Sequence, residues 1–129
     1  MQEQRIRIRW RDVDNYGHVN NAVYLTYLEE VRDEWLGRSL GSADGIWDWV
    51  LARVAIDFRR ELTLADDAVL ARCRLDSIGT SSVRTREEIV TLDGELAAEA
   101  EAVLVARDRE SVRSRPLTDA ERAAFESAR

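Results

Sequence analysis

The sequence has one cysteine, one proline and one histidine in 129 residues, and each scarcity narrows the chemistry open to it. Cys73 has no partner for an intrachain disulfide. A single thiol also cannot build a thiolate metal cluster or a C-x-x-C redox pair within one chain. Pro116 stands alone, no Ser- or Pro-rich stretch forms a linker, and no repeat is present. The longest apolar run is the five residues Ala102 to Ala106, far below the ~20 that cross a bilayer as a helix. The opening Met1-Gln2-Glu3-Gln4-Arg5 carries no apolar signal region. Positive charge is in deficit, with 19 Lys+Arg against 25 Asp+Glu for a net −6. That argues against a nucleic-acid binder, which neutralises phosphates with clustered excess cations. A soluble, cytoplasmic chain with no membrane segment is expected. At 45% hydrophobic residues it has enough apolar material for one domain over residues 1–129.

Hydrophobic periodicity then gives the order of elements. Arg5 to Trp10 alternates strictly, with Ile6, Ile8 and Trp10 against Arg5, Arg7 and Arg9, and reads as a strand. A polar loop follows over 12–21. Leu25, Leu28, Val31, Trp35 and Leu36 then mark one face of a long helix. Asn20 or Asn21 is its expected N-cap, and Gly37 or Gly41 its end. Val50, Ala52, Val54, Ile56 and Phe58 alternate with polar neighbours, as do Val69, Ala71, Cys73 and Leu75. A weaker alternation sets Val83, Thr85, Glu87 and Ile89 on one face. Asp93-Gly94 is a hairpin turn signal. Glu95 to Ala106 has the Ala and Glu content of a helix, but the hairpin before it needs a partner strand, so a strand is expected. Thr118-x-x-Glu121 resembles a capping box and predicts a short helix at about 117–127. The sum is an α+β fold, a meander of antiparallel strands with one long helix. One helix covers such a sheet only in part, so apolar remnants and edge strands point to self-association.

The loop Asp12-Val13-Asp14-Asn15-Tyr16-Gly17-His18-Val19-Asn20-Asn21 holds two carboxylates, the sole histidine and three asparagines. Turn chemistry alone accounts for Asp, Asn and Gly here. A calcium loop matches at Asp12, Asp14 and Gly17, but Val23 stands where the bidentate Glu is needed, and a strand precedes it. A hydrolytic site is the third reading. A carboxylate and an imidazole lie four residues apart, just before a helix N-terminus whose open N–H groups and dipole can hold a developing oxyanion.

The run Arg9-Trp10-x-Asp12-x-Asp14-x-x-Gly17-His18-Val19-Asn20-Asn21-x-x-Tyr24-x-x-Tyr27-Leu28-Glu29 resembles the opening of hotdog-fold acyl thioesterases. The nearest resemblance is to the 4-hydroxybenzoyl-CoA thioesterase type and its bacterial acyl-CoA relatives. His-Val-Asn-Asn is also similar to plant acyl-carrier-protein thioesterases. The resemblance implies a long central helix wrapped by a five- to six-stranded antiparallel sheet. It further implies a homodimer or homotetramer with the site at the subunit interface, and thioester hydrolysis with no metal and no cofactor. Carried onto this chain, it puts the catalytic carboxylate at Asp14 and the carbonyl-polarising N–H at Asn21. Relatives carry Asp-x-Asn-x-His where this chain has Asp14-x-Tyr16-x-His18. Asp12 is expected to brace the loop.

Asp14 would act as base or as nucleophile, although an ordinary Asp titrates near 3.9 and His near 6.5. His18 is then an orienting or substrate-contacting residue. Tyr16, Gly17, Val19, Tyr24 and Glu29 complete the candidate contact set, with core packing the plainer role for Tyr24 and Tyr27 and a solvent-facing one for Glu29. Trp47 and Trp49 are candidates for an acyl pocket or for the core. Arg59 and Arg60, or Arg84 and Arg86, are candidates for coenzyme A phosphates. Ser81 and Ser82, in the turn Ile78-Gly79-Thr80-Ser81-Ser82, are candidates for pantetheine. The expected activity is hydrolysis of an acyl-CoA or acyl-carrier-protein thioester. The rivals are a hotdog hydratase or dehydratase and a non-enzymatic acyl-CoA binder.

Overall fold

The computed structural model describes residues 1–41 and 43–129. Five strands form one antiparallel sheet: β1 (Gln2–Arg7), β2 (Trp49–Phe58), β3 (Ala68–Ile78), β4 (Ser82–Thr91) and β5 (Leu96–Ala106). Two helices accompany it, α1 (Asn21–Leu40) and α2 (Asp119–Ser127). The strand order is β1-β3-β4-β5-β2. Only β3, β4 and β5 form the expected meander. β2 lies at the far edge against β5, and the chain crosses the sheet to begin β3. The resulting α+β architecture is a long helix laid on a five-stranded sheet, as the resemblance implied.

α1 starts where Asn20, in extended backbone, accepts the Ala22 N–H on its side chain at 2.9 Å. It ends at Gly41, whose φ of 73° is left-handed and suits glycine. Tyr24, Tyr27, Leu28, Val31, Trp35 and Leu36 are buried on its inner face. They meet the inward residues of the sheet, among them Val69, Ala71 and Cys73 of β3 and Val83 and Ile89 of β4. Phe125 of α2 closes the core, stacked on Trp35 at 5.6 Å and edge-on to Trp49 at 5.4 Å. Leu96–Ala106 is a strand despite its helical composition. Pairing with both β4 and β2 outweighs intrinsic propensity there.

Two expectations need correction. The first strand runs Gln2–Arg7 and stops short of Trp10. The Asp12 carboxylate accepts the Arg9 N–H at 2.9 Å and draws Trp10–Asp12 into a single 3-10 turn. This local bond competes with the strand ladder, and Trp10 is left 83% exposed. The second correction concerns β2. A bulge between Leu51 and Arg53 shifts its register on β5. Val54, Ile56 and Phe58 pair with Ala102, Ala100 and Ala98 on the helix-facing side, as expected. Before the bulge Trp49 and Leu51 take that side, in place of Val50 and Ala52. One extra residue flips every side chain before it.

The inward face of β4 carries a charge. Glu87 is fully buried and binds the equally buried Arg32 of α1 through both oxygens, at 2.7 and 2.8 Å. The Thr85 hydroxyl donates to the same carboxylate at 2.7 Å. Burial works against the Arg32 charge, but the hydrogen bonds and charge of Glu87 outweigh it and keep the guanidinium protonated. Burial, then Glu87, pushes the nearby Cys73 thiol far above its ordinary range. Arg32→Met or Glu87→Leu alone should cost about 3–5 kcal/mol in urea unfolding, because each strands a buried charge. The double variant should recover most of that loss. A double variant as unstable as either single would contradict this account.

Candidate active site

The loop between β1 and α1 folds back on itself. Val13 and Val19 form an antiparallel bridge, the Asp14 N–H donates to the His18 carbonyl, and the Gly17 N–H donates to the Asp14 carbonyl. Gly17 sits at φ 83°, a left-handed position that admits glycine without strain. The Asp14 side chain caps this turn with one oxygen, Oδ1, which accepts the Tyr16 N–H at 2.9 Å. Its other oxygen, Oδ2, has no hydrogen-bond partner among the described residues.

Asp12 anchors the loop from beneath. It is buried, accepts the Tyr27 hydroxyl at 2.7 Å and the Arg9 N–H at 2.9 Å, and has the Arg9 guanidinium at 3.6 Å. Burial alone would raise its pKa, but these donors outweigh burial and hold the carboxyl below its ordinary range. Asp12 is therefore committed to structure and is no candidate ligand. Tyr27 shows the converse effect, its hydroxyl held far above its ordinary pKa by burial and by Asp12. The loop is also tied to the segment after β2. The Val19 N–H donates to the Leu62 carbonyl at 2.7 Å, and the Tyr24 hydroxyl donates to the Arg60 carbonyl at 3.0 Å.

These ties leave a cleft of about 350 Å³ between the loop, the first turn of α1 and Glu61. Asp14, Tyr16, His18, Val19, Asn21 and Tyr24 all border it, so it gathers most of the expected contact set. Gly17 shapes the loop without lining the cleft. At the start of α1 the Ala22 N–H is taken by the Asn20 side chain and the Val23 N–H by the Asn20 carbonyl. The Asn21 N–H has no acceptor among the described residues, so the positive end of a 20-residue helix keeps an open donor at a residue that borders the cleft. His18 Nε2 lies 3.1 Å from Glu61. Glu61 was not foreseen: it follows β2 in a charged run, and no spacing ties it to the loop.

The other candidates fall elsewhere. Glu29 is exposed two turns further along α1 and borders two neighbouring cavities. Arg59 is paired with Glu99 at 2.7 Å, and Arg60 with Asp66 at 3.1 Å and Glu95 at 2.6 Å. Arg84 and Arg86 both pair with Glu101 on the outer sheet face. Ser81 and Ser82 lie where β4 begins, at the opposite end of the sheet from the loop, roughly 30 Å away along the strand. Trp49 is in the core, and Trp47 is exposed. Among the described residues no group of three or more His, Cys, Asp or Glu is placed to hold a metal ion, and no helix is long and apolar enough to cross a membrane.

Tyr27→Phe removes one of the two hydrogen bonds to Asp12 Oδ2 and should cost about 1–3 kcal/mol at pH 7. The depressed Asp12 pKa stabilises the fold above the unfolded value near 3.9, and that contribution is lost as pH falls through the folded value. The gap between wild type and variant should therefore narrow below about pH 4. Urea unfolding at pH 7 and pH 3 checks this, and a gap that widens on acidification would contradict it.

The sequence model of the thioesterase-like superfamily matches residues 8–125. The chain is 30% identical over 110 residues to the long-chain acyl-CoA thioesterase FadM of Escherichia coli (strain K12), covering 79% of this chain and 78% of that protein. A thioesterase from Thermus thermophilus, crystallised with coenzyme A and Zn, superposes with a TM-score of 0.89 at 33% identity, over 98% of this chain and 92% of that one. The 1,4-dihydroxy-2-naphthoyl-CoA thioesterase Slr0204 of Synechocystis shares the fold, with a TM-score of 0.82 at 20% identity over 96% and 94% of the two chains. A match that takes in the loop, α1 and the four strands β2 to β5 settles the kinship: the chain belongs to the thioesterase-like superfamily.

Proposed function

We propose that this protein hydrolyses acyl-CoA thioesters in the cleft between Asp14 and the N-terminus of α1. The carrying observation is that Asp14 and Asn21 border the same cleft, and that one carboxylate oxygen of the first and the backbone N–H of the second have no partner among the described residues. The acyl carbonyl would accept the Asn21 N–H. Asp14 would take a proton from water as the water oxygen adds to the carbonyl carbon, or would itself add and form an anhydride that water then opens. Either way the electron pair moves onto the carbonyl oxygen, where the N–H and helix dipole stabilise it. Collapse breaks the C–S bond, and the thiolate leaves and is protonated, giving free acid and coenzyme A. His18, held by Glu61, would orient the substrate or the water. The named activity of FadM favours a long acyl chain on coenzyme A over a carrier protein.

A homo-oligomer completes this reading. β2 is an edge strand of 10 residues with Leu51 and Phe58 both more than 40% exposed, a surface that pairs readily with another strand. Antiparallel pairing of two β2 edges sets the start of one strand against the end of the other. The partner's Ser81 and Ser82, near the start of its β2, would then approach this protomer's cleft. A cytoplasmic site of action fits a lone, buried, unpaired cysteine.

Asp14→Asn should lower kcat for thiol release from hexadecanoyl-CoA by about 10²–10⁴-fold, with its urea midpoint near that of wild type. Unchanged turnover would remove Asp14 from the mechanism. Hydration of crotonyl-CoA with no free thiol from any substrate would replace hydrolysis with hydratase chemistry.

A further inference from the structure

The cleft is polar, whereas an acyl chain is not. Asp14, His18, Asn20, Asn21 and Glu61 border it, and among the described residues Val19 is its one aliphatic wall. A long acyl chain leaving Asn21 therefore needs apolar cover from elsewhere. Three large apolar side chains stand exposed along β2 and the turn before it: Trp47 at 67%, Leu51 at 45% and Phe58 at 44%. Exposed apolar groups along an open edge strand mark a surface that association covers.

A second copy is the cover that this edge fits. β5 occupies one side of β2 and leaves the other side open. Two copies related by a two-fold axis pair such edges antiparallel. Opposed side chains must share a face, and a slip of one residue breaks that match. An axis at Ala55 sets Val54 against Ile56 on the helix side and Arg53 against Asp57 on the outer side, each twice. An axis at Ile56 would set Arg53 toward Arg59. One at Val54 would set Asp57 against Leu51, which the bulge has turned to the other face. Ala55 is the centre that satisfies both charge and face.

The two ends of β2 differ. Its last residue touches the cleft, because Phe58 lies edge-on to Tyr24 at 5.2 Å and Tyr24 borders the cleft, as does Glu61 just beyond the strand. Its start carries Trp47, which shares a cavity wall with Leu36 of α1 and so lies on the helix side of the sheet. Trp49 and Glu61 stand at equal distances either side of Ala55, each about 20 Å from the axis along an extended strand. Pairing therefore brings the start of one strand level with the cleft of the other copy. Trp47 lies two residues further, about 4 Å in the 3-10 turn that precedes β2.

We propose that each cleft is completed by Trp47 of the partner subunit, whose indole covers the acyl chain next to the thioester. One copy supplies Asp14 and Asn21, and the other supplies the apolar wall. The inference rests on the hydrolase reading and adds to it a specificity residue contributed by the second copy. Trp47 stands away from the reacting atoms and acts on recognition of the chain. Trp47→Ala should lower kcat/KM for hexadecanoyl-CoA by about 10–100-fold, the effect of uncovering two or three methylenes. Acetyl-CoA, which has no methylene to cover, should be nearly unaffected.

Hybrid dimers of Asp14→Asn and Trp47→Ala chains, isolated through two affinity tags, test the sharing. One of their two clefts takes Asp14 from one copy and Trp47 from the other, so kcat/KM for hexadecanoyl-CoA should reach about half the wild-type value. A hybrid no faster than the Trp47→Ala dimer, or a Trp47→Ala dimer as fast as wild type, overturns the proposal and leaves hydrolysis intact. Absence of thiol release by wild type from short, long and aromatic acyl-CoAs sinks the hydrolase reading instead. In that event cross-linking with a short bis-maleimide still decides. Trp47→Cys and Glu61→Cys chains should cross-link when refolded together and not when refolded apart, because like positions sit at opposite ends of the paired strands. Cys73 is buried and does not compete. Mixed chains that stay uncoupled overturn the proposal whatever the activity.

Discussion

A buried ion pair fixes where α1 lies. Arg32 projects from the inner face of the helix onto Glu87 in the second strand of the meander, and the two-point contact has one geometry. Ion pairs of this kind add little net stability compared with a hydrophobic pair, but losing one partner is expensive. Their effect is to forbid alternatives: a rotated or slid helix would bury two unpaired charges. With its middle pinned at Arg32, α1 has its start held by Tyr24 and Tyr27 and its far half by Trp35 on Phe125. The Asn21 N–H is thereby set relative to a loop that Asp12 holds from below.

Much of this was legible in the residues. Both helices, the Asp-Gly hairpin and four of the strands follow from periodicity and turn chemistry, and even the inward position of Glu87 follows from the β4 alternation. Its partner was missed for a plain reason. An arginine on an apolar stripe reads as an interruption until the opposing strand face, 55 residues away, is known to carry a carboxylate. The β2 bulge was invisible because Ala52 suits either face. Trp10 misled because an Asp three residues after Arg9 can end a strand, and alternation carries no trace of it.

The loop was legible in a different way. Val23 in place of a bidentate Glu removed calcium, and density of matching residues then singled out hydrolysis over turn chemistry. The structure adds the division of labour between the two aspartates. Asp12 has its Oδ2 filled by protein donors, and Asp14, which borders the cleft, keeps one oxygen without a partner among the described residues. Glu61 could not be read from spacing, because it reaches His18 only through the docking of the loop on the segment after β2. Ser81 and Ser82 illustrate the limit of a single chain, since within it they lie at the opposite end of the sheet from Asp14.

The central claim is that the open N–H of Asn21 holds the oxyanion, and a single substitution isolates it. Proline is well accommodated at the first position of a helix, and Asn20 already has φ −61° and ψ 140°, the backbone a following proline requires. Asn21→Pro therefore removes the donor while keeping the helix. Thiol release from hexadecanoyl-CoA should fall about 10²–10³-fold in kcat with unfolding little changed. A folded variant that turns over at the wild-type rate would contradict the account.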